Sequence, residues 1–183
     1  PTLIVAGVMV ALVFGSLFLN ALIPVSARPG QGAGPGPGPA TPGRGVELGN
    51  GVFIHPPTGW IAESGGAGQI RLQQGLVVVD VRLESGFQGD AAGMVDAFVR
   101  GMQQQASQFT STPVQIVQLA AGAPGARAAY SGIFPGIQNA LEGQVTGVIL
   151  QGRPLLFDAY APQGQLASAA SEITTLINTV EVR

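Results

Sequence analysis

The sequence predicts an α+β protein in three parts: a single N-terminal transmembrane helix (residues 1–23), a Pro/Gly-rich linker (24–45), and an antiparallel β-sheet flanked by helices (46–183). Three observations carry that reading. Thr2 to Ile23 is a 22-residue run without a charge, and residues 27–45 contain no aromatic and, proline aside, no aliphatic larger than alanine. From Val46 onward, short apolar strands separated by turn signals surround two amphipathic helical stretches.

The first segment, TLIVAGVMVALVFGSLFLNALI, stops at Pro24. As a helix it would reach about 33 Å, enough to cross a hydrocarbon core of about 30 Å. A helix buried in a soluble domain would be shorter or would show a polar face, and this one does neither. Val25-Ser26-Ala27 resembles the small-residue cleavage site of a secretory signal, but the apolar part of such signals runs only about 7–15 residues. Length therefore favours an uncleaved anchor. Gly7, Ala11 and Gly15 recur every four residues on one helix face, where small side chains let a neighbouring helix come close. A chain rich in Ala and Gly also produces that spacing by chance. Asn20, one turn from the end, can hydrogen-bond across a helix interface or mark the headgroup level. These four residues are the expected contact with a membrane partner. Arg28 and Arg44, taken alone, put the C-terminal side of the span in the cytoplasm. Basic residues ahead of Pro1 would reverse that, and large domains translocate largely regardless of charge.

Residues 24–45 hold six prolines and seven glycines, with GPGPGP alternating at period two rather than in the Gly-X-Y repeat of collagen. Proline stiffens such a segment and glycine loosens it, giving a semi-extended tether with a reach of at most ~70 Å.

In the domain, VEL and VFI flank Gly49-Asn50-Gly51, a hairpin signal. HPPTGW follows, its two prolines bending the chain ahead of Trp60, which is expected as a core anchor with partner contact as the alternative. QIRLQQ and LVVVDVRLE pair around Gln74-Gly75. A helix is predicted from a cap at Asp90 to about Phe109, with Met94, Val95, Phe98, Val99 and Met102 on its core-facing stripe. The strands PVQIVQL, ARAAYSGIF, LEGQVTGVIL and PLLFDAYA come next, the last two joined through Gln151-Gly152-Arg153. Leu166, Ala170, Ile173, Leu176 (or Ile177) and Val180 trace a closing helix before an extended Glu181-Val182. Strands, helix, strands, helix with hairpin connections make an antiparallel sheet covered by helices.

Several of these phrases resemble PsbP-like domains, the fold shared with the Ran-release factor Mog. GVFIHPPTGW is similar to that family's opening strand, proline and Gly-Trp; VVVDVRLE, the helix around Asp96-Ala97-Phe98 and ARAAYSGIF are similar to its middle; VTGVILQGRPLLFDAYAP, a helix and VEVR are similar to its end. The resemblance covers residues 46–183 through packing and turn motifs, and implies a binding fold without a shared catalytic constellation. It is also similar in layout to actinobacterial envelope proteins that carry such a domain outside the membrane behind an anchor and a Pro/Gly tether. One group associates with the cytochrome bcc–oxidase respiratory supercomplex, and another assists mycolate and lipid trafficking.

Composition narrows the chemistry. A net charge of −2 with no lysine leaves no basic stripe for phosphates, which excludes a nucleic-acid partner. Arginine for every cation, beside abundant Ala, Gly and Val, reflects a GC-rich genome. Without cysteine there is no disulfide framework, thiolate metal site or lipobox anchor. His55 is the only histidine, so a zinc or copper ligand set is lacking and a structural or surface role is expected. No G-x-S-x-G elbow seats a nucleophilic serine, and GPGPG and GGAG lack a P-loop lysine. Glu84, Asp90, Asp96 and Glu142 read as solvated, and Arg71 and Arg82 as surface partners of Asp80 or Glu84. No catalytic residue, cofactor or metal is expected. The expected function is a non-catalytic, single-pass accessory or assembly subunit of a bacterial envelope complex, foremost the respiratory supercomplex, with the lipid bilayer and membrane subunits as partners and the domain extracytoplasmic. The alternative is a lipid- or small-molecule-binding module for envelope lipid trafficking.

Overall fold

The computed structural model describes residues 45–119 and 122–183. The expected span, all of the linker but Gly45, and Gly7, Ala11, Gly15 and Asn20 lie outside the described residues. Among the described residues no helix is long and apolar enough to cross a membrane.

The described residues open with a hairpin, β1 (Val46–Gly49) and β2 (Val52–Ile54), and run into a meander of β3 (Ile61–Gly66), β4 (Gln69–Gln74) and β5 (Val77–Leu83). After α1 (Ala91–Gln105) come β6 (Ser107–Ser111), β7 (Gln115–Gln118), β8 (Pro124–Ile133), β9 (Leu141–Leu150) and β10 (Arg153–Pro162). A 3₁₀ turn (Leu166–Ala169), α2 (Ala170–Asn178) and β11 (Glu181–Val182) close the domain. The main sheet is antiparallel in the order β3-β4-β5-β10-β9-β8-β6, with β7 continuing the β6 edge along β8; a small sheet has the order β1-β2-β11.

The turns follow their sequence signals. Asn50 (φ 53°) and Gly51 (φ 73°) close the first hairpin, and Gln151 (φ 49°) and Gly152 (φ 76°) join β9 to β10, the left-handed pairs that two-residue hairpins need. Asp90 caps α1, its carboxylate accepting from the Gly93 N–H at 2.7 Å.

The sheet has a core on each face. On one, Met94, Val95, Phe98 and Met102 of α1 pack on Ala128, Val145 and Leu156. On the other, Ile173, Leu176 and Ile177 of α2 join Trp60, Val79 and Phe157. β10 lies centrally with both faces covered, so PLLFDAYA reads as a continuous apolar run broken only by Asp158.

Three sequence expectations are corrected. Helix α1 ends at Gln105 instead of about Phe109, because Ser107 and Thr110 pair with Ile133 and Ser131 of β8 and Gln108 takes φ 52°. The closing helix begins as a 3₁₀ turn, which advances three residues per turn, so Ala169 is buried and Ala170 exposed; it stops at Asn178, short of Val180. The polar strands β3 and β6 went unforeseen, because neither carries the apolar alternation that marks a strand.

Candidate functional site

The two faces carry different polar arrangements. On the α1 face, cross-strand partners line up as Glu63↔Arg71↔Asp80↔Asp158, a charged row spanning β3, β4, β5 and β10. Arg71 grips Asp80 with two donors, Nε at 2.7 Å and Nη2 at 2.9 Å. That hydrogen bonding holds the guanidinium well above its ordinary pKa. Tyr160 donates its hydroxyl to Asp80 at 3.3 Å, and Tyr130 donates to Asp158 at 2.7 Å. Arg82 is buried with its Cζ 5.2 Å from the Phe98 ring centroid.

Asp158 is the focus of this row. It is only 3% exposed, and burial pushes its carboxyl up to about 7, against the opposing pull of the Tyr130 hydrogen bond and Arg82. Burial also raises both tyrosines above their usual values. Close contact makes the arrangement possible. Gly143 lies under the Tyr130 ring, and a Cβ there would run into it. A Cβ on Gly147 would come within 3.0 Å of Ala91 O and Met94 Cε of α1. Glycines on one face of β9 thus form the furrow that seats the helix and the tyrosine.

On the α2 face, the sheet is covered over β10 and open over β8 and β9. A trough of about 650 Å³ lies there, with β6 as its outer wall and α2 as its inner wall. A second cavity of about 250 Å³ continues it past Arg127, Gln144 and Thr174, which line both. Its lining mixes apolar groups, Leu166, Ile173, Ala129, Ala167 and Ala170, with the amides of Gln144 and Gln163 and the hydroxyls of Thr110, Thr112 and Ser131, of which Thr110 and Ser131 bond each other at 3.0 Å. Glu142 sits at one end, where it accepts from the Leu166 N–H at 2.8 Å and so caps the 3₁₀ turn. It is a cap, not the solvated carboxylate the sequence implied.

The other sequence-selected residues are placed as follows. Trp60 is 0% exposed and donates its indole N–H to Glu172 at 2.6 Å, so it belongs to the core under α2. His55 lies just past β2, with Nε2 3.5 Å from Glu181 Oε1 of β11. Asp96 pairs with Arg100 at 3.1 Å on the exposed side of α1. Arg71 and Arg82 are more buried than the expected surface pairs, because α1 and the neighbouring strands close over them. Among the described residues no three His, Cys, Asp or Glu side chains gather as a metal site. The trough had no sequence signal, since Thr110, Arg127, Gln144 and Thr174 meet only in the folded chain.

This architecture has solved counterparts. The solution structure of cyanobacterial PsbP (CyanoP) from Synechocystis sp. PCC 6803 matches with a TM-score of 0.56 at 17% identity, over 83% of this chain and 98% of that one. The Ran-binding protein Mog1p of Saccharomyces cerevisiae matches with a TM-score of 0.50 at 14% identity, over 76% of this chain and 94% of its own. The fold is PsbP-like. No protein-family model and no curated protein matches the sequence. At these identities the likeness concerns the fold, in agreement with the resemblance carried by GVFIHPPTGW and the β9–β10 hairpin.

Proposed function

We propose that this chain is a membrane-anchored, non-catalytic accessory or assembly subunit of a bacterial envelope complex, with residues 1–23 as the anchor and the PsbP-like domain outside the membrane. The observation that carries this reading is the order of parts in one chain: an uncharged 22-residue run, a Pro/Gly tether and a PsbP-like domain. The expected setting is the actinobacterial cytochrome bcc–oxidase respiratory supercomplex, where this subunit contributes contacts and no redox centre. Two linked attachments give avidity, because the anchored helix raises the local concentration of the domain at its docking site.

The side chains of the domain support a binding role. Arg71 is committed to Asp80, Tyr130 to Asp158, Trp60 to Glu172 and Glu142 to a helix cap. The single imidazole, His55, lies by the Glu181 carboxylate, and the neighbouring Thr179 hydroxyl is spent on the His55 backbone carbonyl, to which it donates at 3.1 Å. The yeast neighbour is itself named for binding another protein. The lipid-trafficking alternative calls for an apolar cavity between sheet and helices. That space is filled by Phe98, Met102 and Leu176, at 5%, 1% and 0% exposure, and the trough outside is open and mixes amides and hydroxyls with Leu166, Ile173 and three alanines.

The test is a gentle-detergent pull-down of the full chain followed by mass spectrometry. Co-purification of respiratory subunits is the expected result; their absence from the eluate removes the supercomplex reading. Replacing Gly7 and Gly15 by Leu should reduce recovery, and unchanged recovery would return that stripe to composition alone.

A further inference from the structure

The trough on the α2 face is elongated, with the Glu142 carboxylate, engaged by the Leu166 N–H, at one end and the Arg127 guanidinium where its two cavities meet. Its floor follows the α2-facing residues of β8 from Ser131 to Arg127, about 13 Å of extended chain, and the second cavity carries it on between Gln118 of β7 and Asn178 of α2. The two cavities meet at Arg127, which is exposed and makes no ion pair among the described residues. Gln144 lies beside it on β9, next to Thr146 in the register. Room is kept by small side chains: Ala129 on the floor, Ala167 and Ala170 on the wall, all exposed. Larger residues at those three positions would fill the trough without touching either core.

That shape and chemistry select an occupant. Two open cavities that meet at Arg127 and run along a strand suit an extended chain. The side-chain amides of Gln144 and Gln163 can both donate to and accept from a peptide backbone, while Leu166, Ile173 and the alanines give its apolar side chains a surface to lie on. The unpaired guanidinium calls for a carboxylate. The tether of this same chain does not supply one, since residues 24–44 carry Arg28 and Arg44 and no acid. We infer that the trough is a docking site for an extended segment of a partner protein with an acidic residue at its centre, seated on Arg127. The inference rests on the accessory-subunit reading and names the kind of surface the domain would hold.

The experiment selects random nonapeptides displayed on phage against the detergent-solubilised full chain, in pools fixed at the centre as Glu or as Lys. The Glu pool should enrich and the Lys pool should not. Selected peptides should bind Arg127→Ala and Ala170→Leu at least tenfold more weakly, while both variants melt at the temperature of the parent. Equal enrichment of the pools, no enrichment, or affinities unmoved by the substitutions would overturn the proposal. So would a chain that dimerises through this face, seen as an Ala170→Leu-sensitive dimer by light scattering. A gain in peptide affinity on deleting residues 27–44 would identify the tether as the occupant and overturn it too. In the pull-down, respiratory subunits retained equally by the parent and by Arg127→Ala would sink the trough and spare the accessory reading. Their absence with the parent would do the reverse, provided the Glu pool still enriches.

Discussion

The two faces of one sheet have been put to opposite uses. On the α1 side, Arg71, Asp80 and Asp158, in register across three strands, are withdrawn from water and tied to tyrosines or to each other. On the α2 side, over β8 and β9, polar residues of comparable number stay in water around a trough. The difference follows from what stands above each strand. Gly143 and Gly147 let α1 settle onto β9, whereas α2 and the 3₁₀ turn before it lie over β10 and present Ala170 and Ala167 towards β8. A covered polar group must find a partner inside the protein, and an open one remains available to another molecule.

Three measurements sharpen this contrast, and the first has the largest expected effect. Trp60→Ala empties the filled half of the α2 face and leaves Glu172 without its indole donor. Denaturant unfolding should show a loss of about 3–5 kcal/mol; a loss below about 1 kcal/mol would mean that the tryptophan is not a structural anchor.

The second concerns the closed face and pH. The Asp158 carboxyl is ordinarily ionised above 3.8, and in the fold it holds its proton to about 7. Below the lower value both states are protonated, and between the two the unfolded chain releases a proton that the folded chain keeps. Stability should therefore fall as pH rises from about 4 to about 7, by a total on the order of 4 kcal/mol, and then level off. Asp158→Asn, which can still accept from Tyr130, should flatten the slope contributed by this residue in that window. A slope identical to the parent's would show that Asp158 is already ionised in the fold.

The smallest effects make the cleanest comparison. Gly143→Ala drives a methyl into the Tyr130 ring and should cost about 1–3 kcal/mol, while Ala129→Leu, in the next strand but facing the trough, should stay within about 0.5 kcal/mol. Equal costs for the two, measured by thermal unfolding, would erase the distinction between the faces.

What could be read in advance was local. Asn50-Gly51, Gln151-Gly152 and the Asp90 cap announce themselves through residues that few other conformations favour. The Met94–Met102 stripe declared its buried face because helical period and burial coincide. Where two local preferences tie, sequence reading slipped. QQQAS is as content in a helix as out of one, and the pairing of Ser107 with Ile133 decided the matter. The stripe of the closing helix was offset by one residue because a 3₁₀ turn, held by Glu142 from a distant strand, set its phase. Asp158 and the trough were hidden for a further reason. Each exists only as a relation among strands far apart in the chain, such as Asp80 with Asp158 or Arg127 with Thr146.

The small sheet has a mechanical consequence. Any load carried by the preceding segment enters the domain at Gly45, beside the His55 ring, and passes into β1 at the open end of its hairpin, where Val46 faces Ile54. The β1–β2 bonds then bear the force in sequence, not together, so the hairpin would peel before the main sheet feels the pull. β11 backs the other edge of β2, and the Arg183 N–H donates to Gly51 O at 2.8 Å, which fastens the last residue to the turn at the far end of that hairpin. Under such a load the small sheet would act as a sacrificial seam ahead of the main one.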